Sequence, residues 1–239
     1  TLPDELANLK SLTDVEVYNC PKMTQFPMAL AKLPEMISLN ISNNSQWSAE
    51  EVYKGLDAIA NGPAKEKLQI LYVRDNNLRE VPESFRNLKK IGLLDLAQNQ
   101  IETIHPLGKE VAPVKLYFDN NKLTSLPADG TGLICTMDDI ETFSATYNKF
   151  TKFPNIFSAK SKFTIGEVDF SYNEIDDFEG EEDGTFRGLN IEQLSLAANK
   201  FTKFPKCLGT TGSLVAYIIL RGNMIDEIPE GSFSGKYST

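Results

Sequence analysis

Tyr72, Arg74 and Asp75 fall within four residues of each other; Asp95 follows, then Tyr117 and Asp119, then Tyr147 and Tyr172. Aromatic faces, a guanidinium and carboxylates are the groups that anchor recognition of another molecule. Carboxylates also transfer protons, so catalysis is the first alternative to weigh. The chain has one histidine, His105. A multi-histidine metal centre is therefore excluded, and a histidine-dependent triad would need His105 and Cys135 brought together from separate segments, for which the sequence offers no reason. His105 reads as a structural residue. No glycine-rich phosphate loop stands between a strand and a helix. Asp95, Asp119 and Asp169 lie among polar neighbours, and none needs an acid–base role to explain it. The run FEGEEDGTF places Glu179, Glu181, Glu182 and Asp183 together. Calcium takes several oxygen ligands, but this spacing departs from that of an EF-hand loop, and a solvated acidic loop is the better reading. The expectation is no catalytic residue, no resident metal and no cofactor.

What positions these side chains is a repeat. LYVRDNNLREVP begins at Leu71, LDLAQNQIETIH at Leu94, LYFDNNKLTSLP at Leu116, FSATYNKFTKFP at Phe143, VDFSYNEIDDFE at Val168, LSLAANKFTKFP at Leu194 and IILRGNMIDEIP at Ile218. Looser copies, VEVYNC and LNISNN, begin at Val15 and Leu39. Nine copies open at Leu12, Met36, Leu68, Ile91, Pro113, Ile140, Ile165, Ile191 and Val215. Eight of the nine carry an asparagine at the same place: Asn44, Asn76, Asn99, Asn121, Asn148, Asn173, Asn199 and Asn223; Cys20 holds it in the first.

Within one copy, Leu116 and Phe118 lie two apart and share the inner face of a strand, while Lys115, Tyr117 and Asp119 point out. Asn121 must turn the chain, and its amide can bond backbone groups of its own and the adjacent coil. Leu123 and Leu126 re-enter the core on a returning arm. Pro127 lacks an N–H and discourages further ladder pairing, so the outer side is expected as coil or short helix. One copy cannot bury its apolar residues alone; stacking does.

This pattern resembles the leucine-rich repeat superfamily over nearly the full length of the chain. The phenylalanines at outer-arm positions (Phe150, Phe153, Phe178, Phe201, Phe204) and the uneven periods look most like bacterial cell-surface or secreted members. The resemblance implies an α/β fold: a right-handed, horseshoe-shaped solenoid of about nine full repeats plus partial terminal ones. A parallel β-sheet would line its concave face, with irregular coil and short helices on the convex face. It further implies a non-enzymatic module that binds a protein or peptide, perched on a cell surface or secreted, in adhesion or host contact.

Equal positions in successive coils then form columns. One reads Glu16, Asn40, Tyr72, Asp95, Tyr117, Ser144, Asp169, Ser195, Ile219, and a second reads Tyr18, Ser42, Arg74, Ala97, Asp119, Thr146, Ser171, Ala197, Arg221. Asp75, Asn120, Tyr147 and Tyr172 stand at the rim. Tyr72, Arg74, Asp95, Tyr117 and Asp119 are expected together at mid-sheet, bordered by exposed Ile70 and Leu93. The candidate binding residues are thus Tyr72, Arg74, Asp75, Asp95, Tyr117, Asp119, Tyr147 and Tyr172. A tyrosine row suits a protein anchor and equally a sugar ring. The bland alternative is that tyrosine favours strands and that Arg74 merely pairs with Asp95 across one strand spacing.

The net charge of −9 argues against nucleic acid and anionic membranes as partners. No apolar run approaches a membrane span. The three cysteines form no disulfide framework. Residues 45–67 interrupt the repeat: Ser48 with Glu51 forms a capping box, Trp47 with Val52 a hydrophobic staple, and Val52, Leu56 and Ile59 follow helical spacing, which predicts a helix over about 49–60 on the convex side. It reads as cover for the core rather than as a binding bump. ADGTGLICTMDD, 128–139, reads as a longer convex loop. The chain opens on TLPDEL, the second half of a repeat, and closes on IPEGSFSGKYST just past a corner. The expectation is one domain over 1–239, a piece of a longer array, with glycan binding or a spacer role for an absent enzyme domain as alternatives to protein recognition.

Overall fold

The computed structural model describes residues 2–108, 110–127, 140–157, 165–186, 188–210 and 213–232. The expected loop at 128–139, with Cys135, lies outside them. Nine short strands form one sheet in strictly sequential order: β1 (Asp14–Glu16), β2 (Ser38–Asn40), β3 (Ile70–Tyr72), β4 (Leu93–Asp95), β5 (Lys115–Tyr117), β6 (Thr142–Ser144), then β8 (Ile165–Asp169), β10 (Asn190–Ser195) and β11 (Leu214–Ile219). Every pairing is parallel, and the register is the repeat itself. Val15 lies opposite Leu39, Leu39 opposite Leu71, then Leu94, Leu116, Phe143, Val168, Leu194 and Ile218 in turn. Alternation puts these inward, and Leu39, Leu71, Leu116, Phe143, Val168 and Leu194 are fully buried.

Each coil leaves the sheet through one residue in the left-handed region: Asn19, Asn43, Asp75, Gln98, Asn120, Tyr147, Tyr172 and Ala198, all with φ between 48° and 58°, then Gly222 at 73°. The ladder asparagine comes next. Asn99 Nδ2 donates to the carbonyls of Val73 (2.8 Å), Leu96 (3.0 Å) and Ala97 (3.1 Å), while its Oδ1 accepts from the N–H groups of Asn76 and Leu78, both at 3.0 Å. Asn121, Asn148, Asn173, Asn199 and Asn223 repeat the scheme. Each amide therefore satisfies buried backbone in its own coil and in the preceding one. Asn76 is the exception: its Nδ2 reaches Ile41 and Arg74 carbonyls, but its Oδ1 has no partner. The preceding corner leads into the insertion, where Trp47 N–H turns back to the Asn44 carbonyl.

The insertion is helical. Helix α1 (Ala49–Ala60) starts at the Ser48–Glu51 capping box and buries Val52, Gly55, Leu56, Ile59 and Ala60. Trp47 packs edge-on against Phe26 at 5.3 Å and donates Nε1–H to the Met23 carbonyl. The Tyr53 hydroxyl joins the Arg79 and Glu80 N–H groups to the Glu80 carbonyl. The helix thus packs on the 3-10 turns Met28–Lys32 and Glu83–Asn87 of the returning arms.

Phenylalanine fills the wider coils of the second half. Phe143, Phe150, Phe153, Phe157 and Phe170 meet at centroid distances of 5.1–5.8 Å, and the chain continues through Phe178 to Phe186 and Phe201. Phe204 is only half-buried. The returning arm is also more ordered than coil: β7 (Lys152–Phe153) pairs in parallel with β9 (Asp177–Phe178). Pro154 does not prevent this, because the N–H groups of Asp176 and Glu179 donate from the later coil to the carbonyls of Thr151 and Phe153.

Replacing Asn99 by Ala strands buried backbone groups in two coils. Asn99→Ala should cost about 3–5 kcal/mol of unfolding free energy, against about 1 kcal/mol for Asn223→Ala at a half-buried corner, measured by urea unfolding.

Candidate recognition surface

The register brings Tyr72, Asp95 and Tyr117 side by side on the concave face. Asp95 is not an accessible outward group, as its column position predicts. It is 4 % exposed, shaded between two tyrosines, with Arg74 Nη1 at 3.1 Å from Oδ2 and the Ala97 N–H on Oδ1 at 3.0 Å. Burial pushes its carboxyl above the usual range, against the opposing pull of the Ala97 N–H and Arg74. Ile70 and Leu93 are half-buried rather than exposed.

Asp119 is likewise occupied. Its Oδ1 accepts from Thr146 N–H (2.9 Å), Thr146 Oγ1 (2.6 Å) and Ser144 Oγ. It fastens its own coil to the next one. Asp75 is half-buried in the left-handed rim position. Of the expected cluster, Tyr72, Tyr117 and part of Arg74 remain open to a partner, and the carboxylates serve the sheet.

The rim holds what remains. Tyr147 and Tyr172 are 50 % and 44 % exposed and stack with centroids 4.3 Å apart and planes 6° from parallel. Their backbones are pinned by N–H bonds to the Ser171 and Ala197 carbonyls. The sequence places both at the rim but not their stacking, nor the fall of the same column to Ala198 and Gly222. The signal was available: Asn19, Asn43, Asp75 and Asn120 mark the position as left-handed, where tyrosine is out of place.

The other candidates sit away from this face. His105 Nε2 lies 3.1 Å from Glu80 Oε2 on the returning arm. In the acidic run, Glu179, Glu181 and Asp183 accept from the N–H groups of Asn155, Cys207 and Thr185. Burial and the neighbouring Asp177 raise the Glu181 carboxyl, and burial raises the Cys207 thiol. Among the described residues no cluster of His, Cys, Asp or Glu is arranged to hold a metal, and no helix is long and apolar enough to cross a membrane.

Nine sequential parallel coils joined by a buried asparagine ladder define a solenoid repeat protein. The Leucine Rich Repeat family model matches residues 67–88. A leucine-rich repeat protein of Bacteroides eggerthii is similar, with 38 % identity and a TM-score of 0.79, over 96 % of this chain and 38 % of its own. One from Bacteroides thetaiotaomicron is also 38 % identical, with a TM-score of 0.76, over 95 % of this chain and 27 % of its own. Among curated proteins, chicken lumican is 26 % identical over 230 residues, 91 % of this chain and 60 % of lumican. Human lumican is 29 % identical over 171 residues, 67 % of this chain and 47 % of lumican. The chain therefore spans roughly half of these curated relatives, and it belongs to the leucine-rich repeat superfamily.

Two outcomes follow from the geometry. Ala198→Gly should raise stability by about 1 kcal/mol and Gly222→Ala lower it by a similar amount, since both positions are left-handed; thermal unfolding reads this. An acid raised in the folded state stabilises fully only below its unfolded pKa, and that contribution is lost as pH rises through the folded value. Asp95→Asn removes this titration, so its unfolding free energy should gain relative to the native chain between pH 4 and pH 7.

Proposed function

We propose that the chain is a non-catalytic recognition module that binds a protein or peptide through its concave sheet, in a bacterial cell-surface or secreted setting such as adhesion or host contact. The observation that carries this is the division of labour on that face. Asp95 and Asp119 accept bonds from within the sheet, while Tyr72, Tyr117, Tyr147 and Tyr172 stay at least partly accessible. Tyrosine supplies large contact area at low entropic cost, which is what an interface anchor requires.

A glycan ligand is the second reading, drawn from the same tyrosines, and a spacer role is the third. Immobilised chain, a Tyr72→Ala/Tyr117→Ala variant and a Lys54→Ala variant on the exposed side of α1 should be offered secreted and host-surface proteins and a glycan array. Asp119 is left intact because it fastens two coils. The expected result is a protein ligand held by the native and Lys54→Ala chains and weakened about 30-fold or more by the tyrosine pair. A ligand indifferent to the tyrosines removes the concave face from the function, a glycan retained in place of a protein favours the second reading, and capture of nothing by any form favours the spacer.

A further inference from the structure

The left-handed column is occupied mostly by residues suited to it, then by two consecutive tyrosines, then by Ala198 and Gly222. A left-handed tyrosine is strained, and such strain persists where surroundings enforce it, most often at ligand clamps. Stacking leaves each ring one free face. That of Tyr172 looks along the array axis over the step made by Ala198 and Gly222, and the two rings support each other as a wall.

The floor of this step is apolar and its neighbouring polar groups are already satisfied. Ala197 is 4 % exposed. The Ser171 and Ser195 hydroxyls bond one another at 2.7 Å, and Asp169 Oδ1 accepts from Ser171 N–H. A sugar lying here would find partners for its ring hydroxyls only at the tyrosine hydroxyls and Arg221, with none on the floor. A pyrrolidine ring has none to satisfy, and a proline-rich segment comes already extended with its carbonyls exposed. At the far edge stands Arg221, exposed and without an ion pair among the described residues, in a chain of net charge −9. Tyr172 and Gly222 are two coils apart, about 9.6 Å at ordinary strand spacing. A polyproline segment advances about 9.3 Å in three residues.

We infer that the Tyr172 face and the Ala198–Gly222 step form a shelf for a proline ring of an extended peptide lying along the array, and that Arg221 pairs with a carboxylate three residues further on. The inference rests on the concave face being the recognition surface and adds the ligand class. The Tyr147 and Tyr172 hydroxyls bond one another, which leaves one O–H to donate to a carbonyl of such a peptide.

The test uses a fluorescein-labelled proline-rich peptide containing Pro-x-x-Glu, read by anisotropy against the intact chain, with Pro→Ala and Glu→Lys peptides as controls and oligogalacturonate as an acidic sugar. Tyr172→Asn is the principal variant, because asparagine occupies this backbone position in three other coils and the fold is preserved. The expected result is binding that falls at least tenfold with Tyr172→Asn and with the Pro→Ala peptide, and Arg221→Glu that shifts preference to the Lys peptide. No binding at millimolar peptide, equal binding by Tyr172→Asn, or displacement by oligogalacturonate overturns the shelf. A protein partner lost from Tyr72→Ala/Tyr117→Ala but held by Tyr172→Asn overturns the shelf alone; a partner held by every concave variant overturns the broader reading with it.

Discussion

One asparagine amide per coil is the interaction on which the other features depend. A corner that leaves a sheet every 22 to 32 residues would strand carbonyls and N–H groups in the interior. Asn99, Asn121, Asn148, Asn173 and Asn199 take up those groups in two coils at once, so each corner is also a clamp between neighbours. The clamp fixes the spacing, and the spacing fixes the register that turns single side chains into columns. Where an insertion disturbs a corner, at Asn44 to Trp47, the cost is visible one coil later as the unpartnered Asn76 Oδ1. Helix α1 offsets it by burying Val52, Leu56 and Ile59.

The clamp has a second consequence. The residue before each asparagine must adopt a left-handed backbone, so one rim of the concave face is a row of positions that select against most side chains. Asparagine, aspartate and glycine at that rim follow from the backbone alone. Tyrosine does not. Gln98 and Ala198 are also unsuited to that position, but Tyr147 and Tyr172 are its largest side chains, whereas Arg74, Asp95 and Asp119, chemically more suggestive, are accounted for by bonds within the sheet.

Much of this was legible in the sequence because the repeat states it several times over. The strand registers, the ladder, and the capping box of α1 follow from spacing. What the sequence could not show was competition for the same groups. Asp95 and Asp119 stand at outward positions, but Thr146, Ser144, Ala97 and Arg74 reach them first, and that depends on distances across coils rather than order along the chain. The pairing of β7 with β9 was hidden by Pro154, whose missing N–H matters only toward the coil before it. The tyrosine stack depends on two side-chain rotamers that no pattern records.

The most direct measurement is hydrogen–deuterium exchange of the chain with and without a captured protein ligand, followed coil by coil. The account predicts that protection gathers on the concave strands and their rim, 70–75, 93–98, 115–120, 142–147, 165–172, 194–198 and 217–222, while α1 and the returning arms exchange as before. Protection confined to α1 or to the returning arms, with the concave rim unchanged, would contradict it.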